Sequence, residues 1–161
     1  MNFLQEYWNR IGKPDSQDSA NPRPLTQWRL PPSNCLKLNV DASIRHSKGR
    51  IGVEGVFCDY TIVVIACFSK ILMGSFSIDD AEALIVCEGL EFAFQHYFHS
   101  LVVDSDSMRT IQAIFNSQSL VPNGIGISNI CNLLVSTNYV MCQHILHEEN
   151  MVAYILASFA F

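Results

Sequence analysis

Apolar and polar residues alternate with a period of two along residues 36–41, which read Leu-Lys-Leu-Asn-Val-Asp. This alternation is typical of a β-strand with one buried face. Two more short apolar runs follow at residues 52–58 and 62–68, and polar turn residues separate each run from the one before it. The spacing predicts three sequential antiparallel strands joined as a meander.

The apolar positions then change to a helical period. Asp79 or Asp80 can cap a helix that runs to about Phe98. The remaining segments predict, in chain order, a strand at 101–104, a helix at 107–116, a helix at 127–136, a strand at 139–146 and a helix at 150–160. The order βββαβααβα predicts an α/β fold with a five-stranded mixed sheet flanked by helices.

The first part of the chain has a different composition. Residues 1–34 are rich in Pro, Asn, Ser and Gln, and the prolines interrupt regular structure. We therefore expect residues 1–34 to form a flexible leader and residues 35–161 to form one domain. Trp28 and the Pro31-Pro32 pair could hold the end of the leader against that domain.

The overall composition limits the class of protein. With 161 residues, 49% of them hydrophobic, the chain can fold around a core. No apolar run approaches the ~18 residues of a membrane span, so no membrane association is expected. The chain start lacks the order of a secretory signal and the six cysteines form no Cys-x-x-Cys pair. We therefore expect an intracellular protein with reduced, buried cysteines and no zinc site. The sequence does not distinguish a nuclear from a cytoplasmic location.

The net charge of −5 is unevenly distributed. Residues 1–34 carry four basic and three acidic residues, whereas residues 35–161 carry six basic and twelve acidic residues. Nucleic-acid binders are usually basic, so this balance argues against strong non-specific binding. Three candidate substrate-binding residues nevertheless lie within nine positions of Asp41: Arg45, Lys48 and Arg50. A solvated hairpin turn explains the same cluster.

Glu82 is the candidate site residue with the strongest argument from the sequence alone. Its helical neighbours at +3, +4, +7, +10 and +11 are apolar or small: Ile85, Val86, Gly89, Phe92 and Ala93. Glu82 therefore begins the buried face of the helix, where a carboxylate is costly unless it is paired or bound to a metal. The alternative is a capping box in which Asp79 caps the helix and Glu82 is its third residue.

Asp41 and Asp106 end predicted strands and complete a set of three acids. Each has a structural alternative, since Asp41 could be a turn residue and Asp106 a helix cap. Asp104 competes with Asp106, but its position inside the strand favours an ordinary strand residue. Carboxylates at two strand ends and one helix start can build a site for divalent metals in phosphoryl chemistry.

Several motifs together resemble the plant reverse-transcriptase-like RNase H domains over about residues 28–161. They are Trp28-x-x-Pro31-Pro32, the segments 36–43, 81–84 and 88–93, and Val-Asp-Ser-Asp-Ser at 103–107. The resemblance implies a retroelement-derived endonuclease that hydrolyses the RNA strand of RNA–DNA hybrids by two-metal catalysis. We expect the protein to be a monomer. Asp41, Glu82 and Asp106 would hold Mg²⁺ or Mn²⁺. His144 would assist proton transfer or product release.

The closing motif departs from the family pattern. The usual Arg-Glu-x-Asn segment reads His-Glu-Glu-Asn at residues 147–150, and Asn150 stays a candidate substrate-binding residue. Tyr154 occupies the position of the fourth carboxylate. A phenol with an ordinary pKa near ~10 is a poor metal ligand, so we expect weakened catalysis. The alternatives are an inactive domain that binds nucleic acid or a protein, and a retroelement remnant without activity.

Overall fold

The computed structural model describes residues 29–45, 49–116, 132–133 and 140–151. The elements in chain order are β1 (Leu36–Arg45), β2 (Arg50–Cys58), β3 (Val64–Met73), α1 (Ile78–Gln95), β4 (Leu101–Ser105), α2 (Met108–Asn116) and β5 (Val140–His144). A further helical segment covers residues 147–151. No helix in this described part of the chain is both long enough and apolar enough to span a bilayer.

The strands form one five-stranded sheet in the order β3-β2-β1-β4-β5. Strands β1, β2 and β3 pair antiparallel, whereas β4 pairs parallel with both β1 and β5. The predicted mixed sheet with an antiparallel meander is therefore confirmed. The predicted helix at 127–136 falls outside the described residues apart from 132–133, which are helical, and the closing helix is described only as far as residue 151.

Two strand boundaries differ from the prediction. Strand β1 continues four residues beyond Asp41 to Arg45, so Asp41 lies inside the strand and is not a turn residue. Strand β3 begins later than residue 62 because Asp59 organises a longer turn. Its Oδ1 accepts hydrogen bonds from the backbone N–H groups of Thr61 (2.8 Å) and Val63 (3.0 Å).

Helix α1 packs against β1 and β2 to form the core. Leu38, Phe57, Ile85 and Leu90 are fully buried between these elements. Gly89 permits the close approach of helix and sheet, because a Cβ atom there would lie 2.6 Å from Leu38 Cδ2. The apolar face predicted for α1 is therefore the face that holds it on the sheet.

The cysteines agree only partly with the prediction. In the described part of the chain four of the five cysteines are buried: Cys35, Cys58, Cys87 and Cys142. Cys67 is exposed because it lies on β3, the edge strand, on the face opposite α1. All five are free thiols. The expectation that the cysteines are buried is thus wrong for Cys67.

A buried ion pair connects the neighbouring strands β1 and β4. Lys37 Nζ on β1 lies 2.6 Å from Asp104 Oδ2 on β4, and the side chains are 1% and 0% exposed. Gln143 on β5 donates from Nε2 to Asp104 Oδ1 at 2.7 Å. Asp104 is thus a structural residue that joins three strands. The alternation at 36–41 had placed Lys37 on a solvated face, but both faces of β1 are covered here.

We expect Lys37→Met to lower the free energy of unfolding by about 3–5 kcal/mol, because it leaves the Asp104 carboxylate buried without its cation. The double variant Lys37→Met/Asp104→Asn should recover much of that loss, since the amide stays neutral and still accepts from Gln143. Urea unfolding followed by circular dichroism measures both. Equal free energies of unfolding for the wild type and Lys37→Met would show that the ion pair does not contribute to stability.

Candidate functional site

The start of α1 is fixed by Ser77 and Asp80. Ser77 Oγ accepts from the Asp80 N–H at 3.1 Å, and Asp80 Oδ2 accepts from the Ser77 N–H at 3.0 Å. This reciprocal pair is the capping box of the helix. The predicted cap at Asp79 or Asp80 is therefore wrong, and so is the alternative that gave Glu82 a place in the capping box. Glu82 has no capping role.

Glu82 lies where the helical period predicted, at the beginning of the buried face. Its Oε2 atom is buried and has no hydrogen-bond partner among the described residues. The pKa of Glu82 is raised to about 7, first by burial and then by the negative charges of Asp106, Asp41 and Asp79. An unpartnered buried carboxylate oxygen is unfavourable unless a proton or a cation satisfies it.

Asp41 and Asp106 are brought together by the parallel pairing of β1 and β4. Asn39 and Asp104 are register partners in that ladder. Asp41 lies two residues further along β1, and Asp106 is the first residue after β4, so the two residues follow the register pair at the same distance along the chain. Burial raises the pKa of Asp41, and the charge of Asp106 raises it further, against a smaller opposite effect of the Ala42 N–H. The two carboxylates therefore interact with each other, and both interact with Glu82.

Asp106 is not the cap of α2. Ser107 takes that position, because its Oγ accepts from the Thr110 N–H at 3.3 Å and its carbonyl accepts from the Ile111 N–H at 3.1 Å. The Asp106 carboxylate takes no part in the cap and is 17% exposed. The N-cap alternative is thus excluded.

Two histidines lie beside Asp106. His147 Nδ1 donates to Asp106 Oδ2 at 2.6 Å, and His147 is 74% exposed. This hydrogen bond, followed by the charge of Asp106, raises the pKa of His147. His144, at the end of β5, donates from Nε2 to the Asp106 backbone carbonyl at 3.2 Å. The predicted proton-transfer residue is therefore next to the site, and His147 is an additional contact that the sequence had not indicated.

Glu54 is a further acid that the sequence reasoning missed. It lies on β2 directly opposite Asp41 in the antiparallel ladder. Glu54 is half-buried, and its pKa is raised by burial and then by the charge of Asp41. Only the register of the β1–β2 hairpin could have identified it, since Glu54 stands between apolar and glycine residues with no motif around it.

The candidate substrate-binding residues are placed differently from one another. Asn150 is 2% exposed, and its Nδ2 donates to the Val40 carbonyl at 2.8 Å, so it holds the segment 147–151 against β1. Arg50 begins β2 opposite Arg45 in the register. The side chains of Arg45, Lys48 and Tyr154 lie outside the described residues.

The acids have the chemistry of a divalent-cation site. Carboxylate oxygens are the preferred protein ligands of Mg²⁺ and Mn²⁺, and the buried Glu82 Oε2, which has no hydrogen-bond partner among the described residues, suits such a cation. Within the described residues, no group of three or more His, Cys, Asp or Glu side chains is already arranged to hold a metal ion. His147 occupies Asp106 Oδ2. A cation bound at this oxygen would therefore displace His147.

Comparison with known proteins identifies the fold and the family. The crystal structure of RNase H1 from the archaeon Halobacterium salinarum is similar with a TM-score of 0.67 and 17% identity, over 78% of this chain and 96% of that chain. LC11-RNase H1, isolated from compost and crystallised with an RNA/DNA hybrid, has a TM-score of 0.65 and 17% identity, over 77% of this chain and 94% of that chain.

The foamy viral protease-reverse transcriptase in complex with RNA/DNA hybrid has a TM-score of 0.58 and 15% identity, over 92% of this chain and 22% of that chain. No curated protein matches the sequence. The reverse transcriptase-like family model matches residues 39–160, which is most of the chain, and the plant origin stays a prediction. The sheet, its strand order and this match together show that the chain is an RNase H-like member of the reverse transcriptase-like family.

Proposed function

We propose that this protein binds RNA–DNA hybrids and hydrolyses their RNA strand with Mg²⁺ or Mn²⁺, at a rate reduced by the tyrosine at position 154. The observation that carries the proposal is the buried, unpartnered Oε2 of Glu82, whose charge interacts with those of Asp41 and Asp106. The family and the two similar structures with bound RNA/DNA hybrid support the choice of substrate. We further propose an intracellular monomer.

The roles of the residues follow from their positions. Asp41, Glu82 and Asp106 would hold the divalent cations. When bound, such cations neutralise phosphate charge and activate a water as the nucleophile. His144 Nε2, fixed by the Asp106 carbonyl, can exchange a proton at the edge of the site. When no cation is bound, His147 would be the hydrogen-bond partner of the Asp106 carboxylate.

Substrate affinity should be low because few basic residues are available to phosphates. Arg109 is the only Lys or Arg after Lys70, and its guanidinium pairs with Asp79 at 2.7 Å. Lys70 pairs with Glu88 at 2.7 Å. Arg50, where β2 begins, and its sequence neighbours Arg45 and Lys48 then remain the candidates for phosphate contacts. Binding that depends on few such contacts has a shallow salt dependence.

Glu82→Gln should weaken Mn²⁺ binding at least tenfold, because it removes a charged oxygen ligand from the site. Glu88→Gln is the matched control, since Glu88 lies on the same helix but pairs with Lys70. Isothermal titration calorimetry on the two variants and the wild type measures the dissociation constants. Equal affinities in all three chains would contradict a cation site at Glu82.

Tyr154→Asp should raise the rate of hybrid cleavage from a low or undetectable level by at least tenfold. A missing metal ligand costs several kcal/mol of transition-state stabilisation, and each ~1.4 kcal/mol is a factor of ten in rate. A gel assay with a labelled RNA–DNA hybrid in Mg²⁺ and in Mn²⁺ measures the rate, with Tyr154→Phe as the control that adds no carboxylate.

Asp41→Asn introduced together with Tyr154→Asp should remove the gained activity, because Asp41 is proposed as a direct ligand. Wild-type cleavage as fast as that of Tyr154→Asp would show that the site has no missing ligand. A folded Tyr154→Asp variant that binds the cation and the hybrid but cleaves nothing would favour a binding domain without catalysis.

A further inference from the structure

Glu54 and Asp41 form a cross-strand pair of like charge. They are direct partners in the antiparallel ladder of β1 and β2. Side chains at such positions leave the same face of the sheet with their Cβ atoms roughly 4.5–5.5 Å apart, and like charges there destabilise the sheet. Since Asp41 already interacts with Asp106 and Glu82, Glu54 extends the acidic cluster onto β2.

The described surroundings of Glu54 offer no basic partner. Its neighbour on the other side is Ser69 of β3. Lys70 projects from the opposite face of the sheet, where it pairs with Glu88. Arg50 lies on the same face as Glu54 but four residues along β2, roughly 13 Å away at ~3.3 Å per residue. Among the described residues, no hydrogen bond or ion pair therefore balances the charge of Glu54.

We propose that Glu54 is a fourth carboxylate ligand of the divalent cation, placed on β2 beside Asp41. This inference rests on the proposed function, in which Asp41, Glu82 and Asp106 hold that cation. Position 154 carries tyrosine where the resemblance leads one to expect an acid, so the site is one hard oxygen ligand short. Glu54 supplies such a ligand from another element. A cation between the two carboxylates turns their repulsion into shared attraction.

A different role for Glu54 would be to repel the phosphates of nucleic acid without touching the cation. The two roles are distinguishable because they change different affinities. As a ligand, Glu54 strengthens cation binding. As a repulsive charge alone, it weakens hybrid binding and leaves cation affinity unchanged.

The test compares Mn²⁺ binding by isothermal titration calorimetry in the full-length wild type, Glu54→Gln, Glu82→Gln and Glu88→Gln. We expect Glu54→Gln to weaken Mn²⁺ at least fivefold and Glu88→Gln to leave it unchanged. Thermal unfolding without metal should show Glu54→Gln melting at or above the wild-type temperature, because the repulsion with Asp41 is gone. Saturating Mn²⁺ should then raise the melting temperature of the wild type by more than that of the variant.

The outcomes separate this inference from the function on which it rests. Wild-type Mn²⁺ affinity in Glu54→Gln, with weakened affinity in Glu82→Gln, overturns the role of Glu54 and leaves the proposed function standing. Absence of Mn²⁺ binding in the wild type overturns both. A second variant, Glu54→Ala, should reproduce the loss of affinity. In a Tyr154→Asp background the effect of Glu54→Gln should shrink, because the added carboxylate contributes to binding of the same cation.

Discussion

The parallel pairing of β1 with β4 sets the geometry on which the site depends. Asp41 and Asp106 both lie two residues past a register pair, Asn39 with Asp104, so any slip between the strands would separate them. The buried ion pair between Lys37 and Asp104 joins the same two strands and includes Asp104 of that register pair. Its burial raises the pKa of Asp104 despite the nearby Lys37 cation, so the cost of desolvation exceeds the attraction. Such a pair contributes more to register than to net stability.

The carboxylates that this register brings together are costly to the folded chain. The pKa of Glu82 is raised to about 7 from an ordinary value of 4.5, chiefly by burial. Since the folded-state pKa is above the unfolded value, the native state binds the proton more tightly. The contribution of Glu82 to stability therefore falls as pH rises from about 4.5 through about 7 and stays low above that range. Buried carboxylates that lower the stability of the folded state in this way are characteristic of functional sites, here a site for a cation.

The sequence predicted the features that depend on short-range patterns. The period of two predicted β1, and apolar runs between polar turns predicted the other strands. The helical period predicted the buried position of Glu82, and the end of the fourth apolar run predicted Asp106. It failed where an interaction joins residues distant along the chain or depends on turn geometry. Ser77 is the cap of α1 in place of Asp79 or Asp80 because the helix begins at Ile78, earlier than predicted, and Asp80 is the third helical residue that completes the capping box.

The remaining failures came from the assumption that a polar strand face is solvated. The Lys37-Asn39-Asp41 side of β1 is covered, in part by the segment 147–151, and Asn150 holds that segment to the Val40 carbonyl. This contact cannot be seen in a local pattern, because Asn150 is 110 residues away from Val40 along the chain. The position of Glu54 was missed for the same reason: its importance comes entirely from its partner on the neighbouring strand.

The charge of the site also constrains the order in which ligands can bind under the proposed function. Asp41, Glu54, Glu82 and Asp106 form a region of negative potential, and a nucleic-acid backbone carries one negative charge per phosphate. A divalent cation changes the sign of the local field and so converts repulsion of phosphate into attraction. The protein has few basic residues that could do this instead, since Arg109 and Lys70 are both paired with acids. Affinity for nucleic acid at this site therefore depends on cation occupancy more strongly than it would in a basic protein.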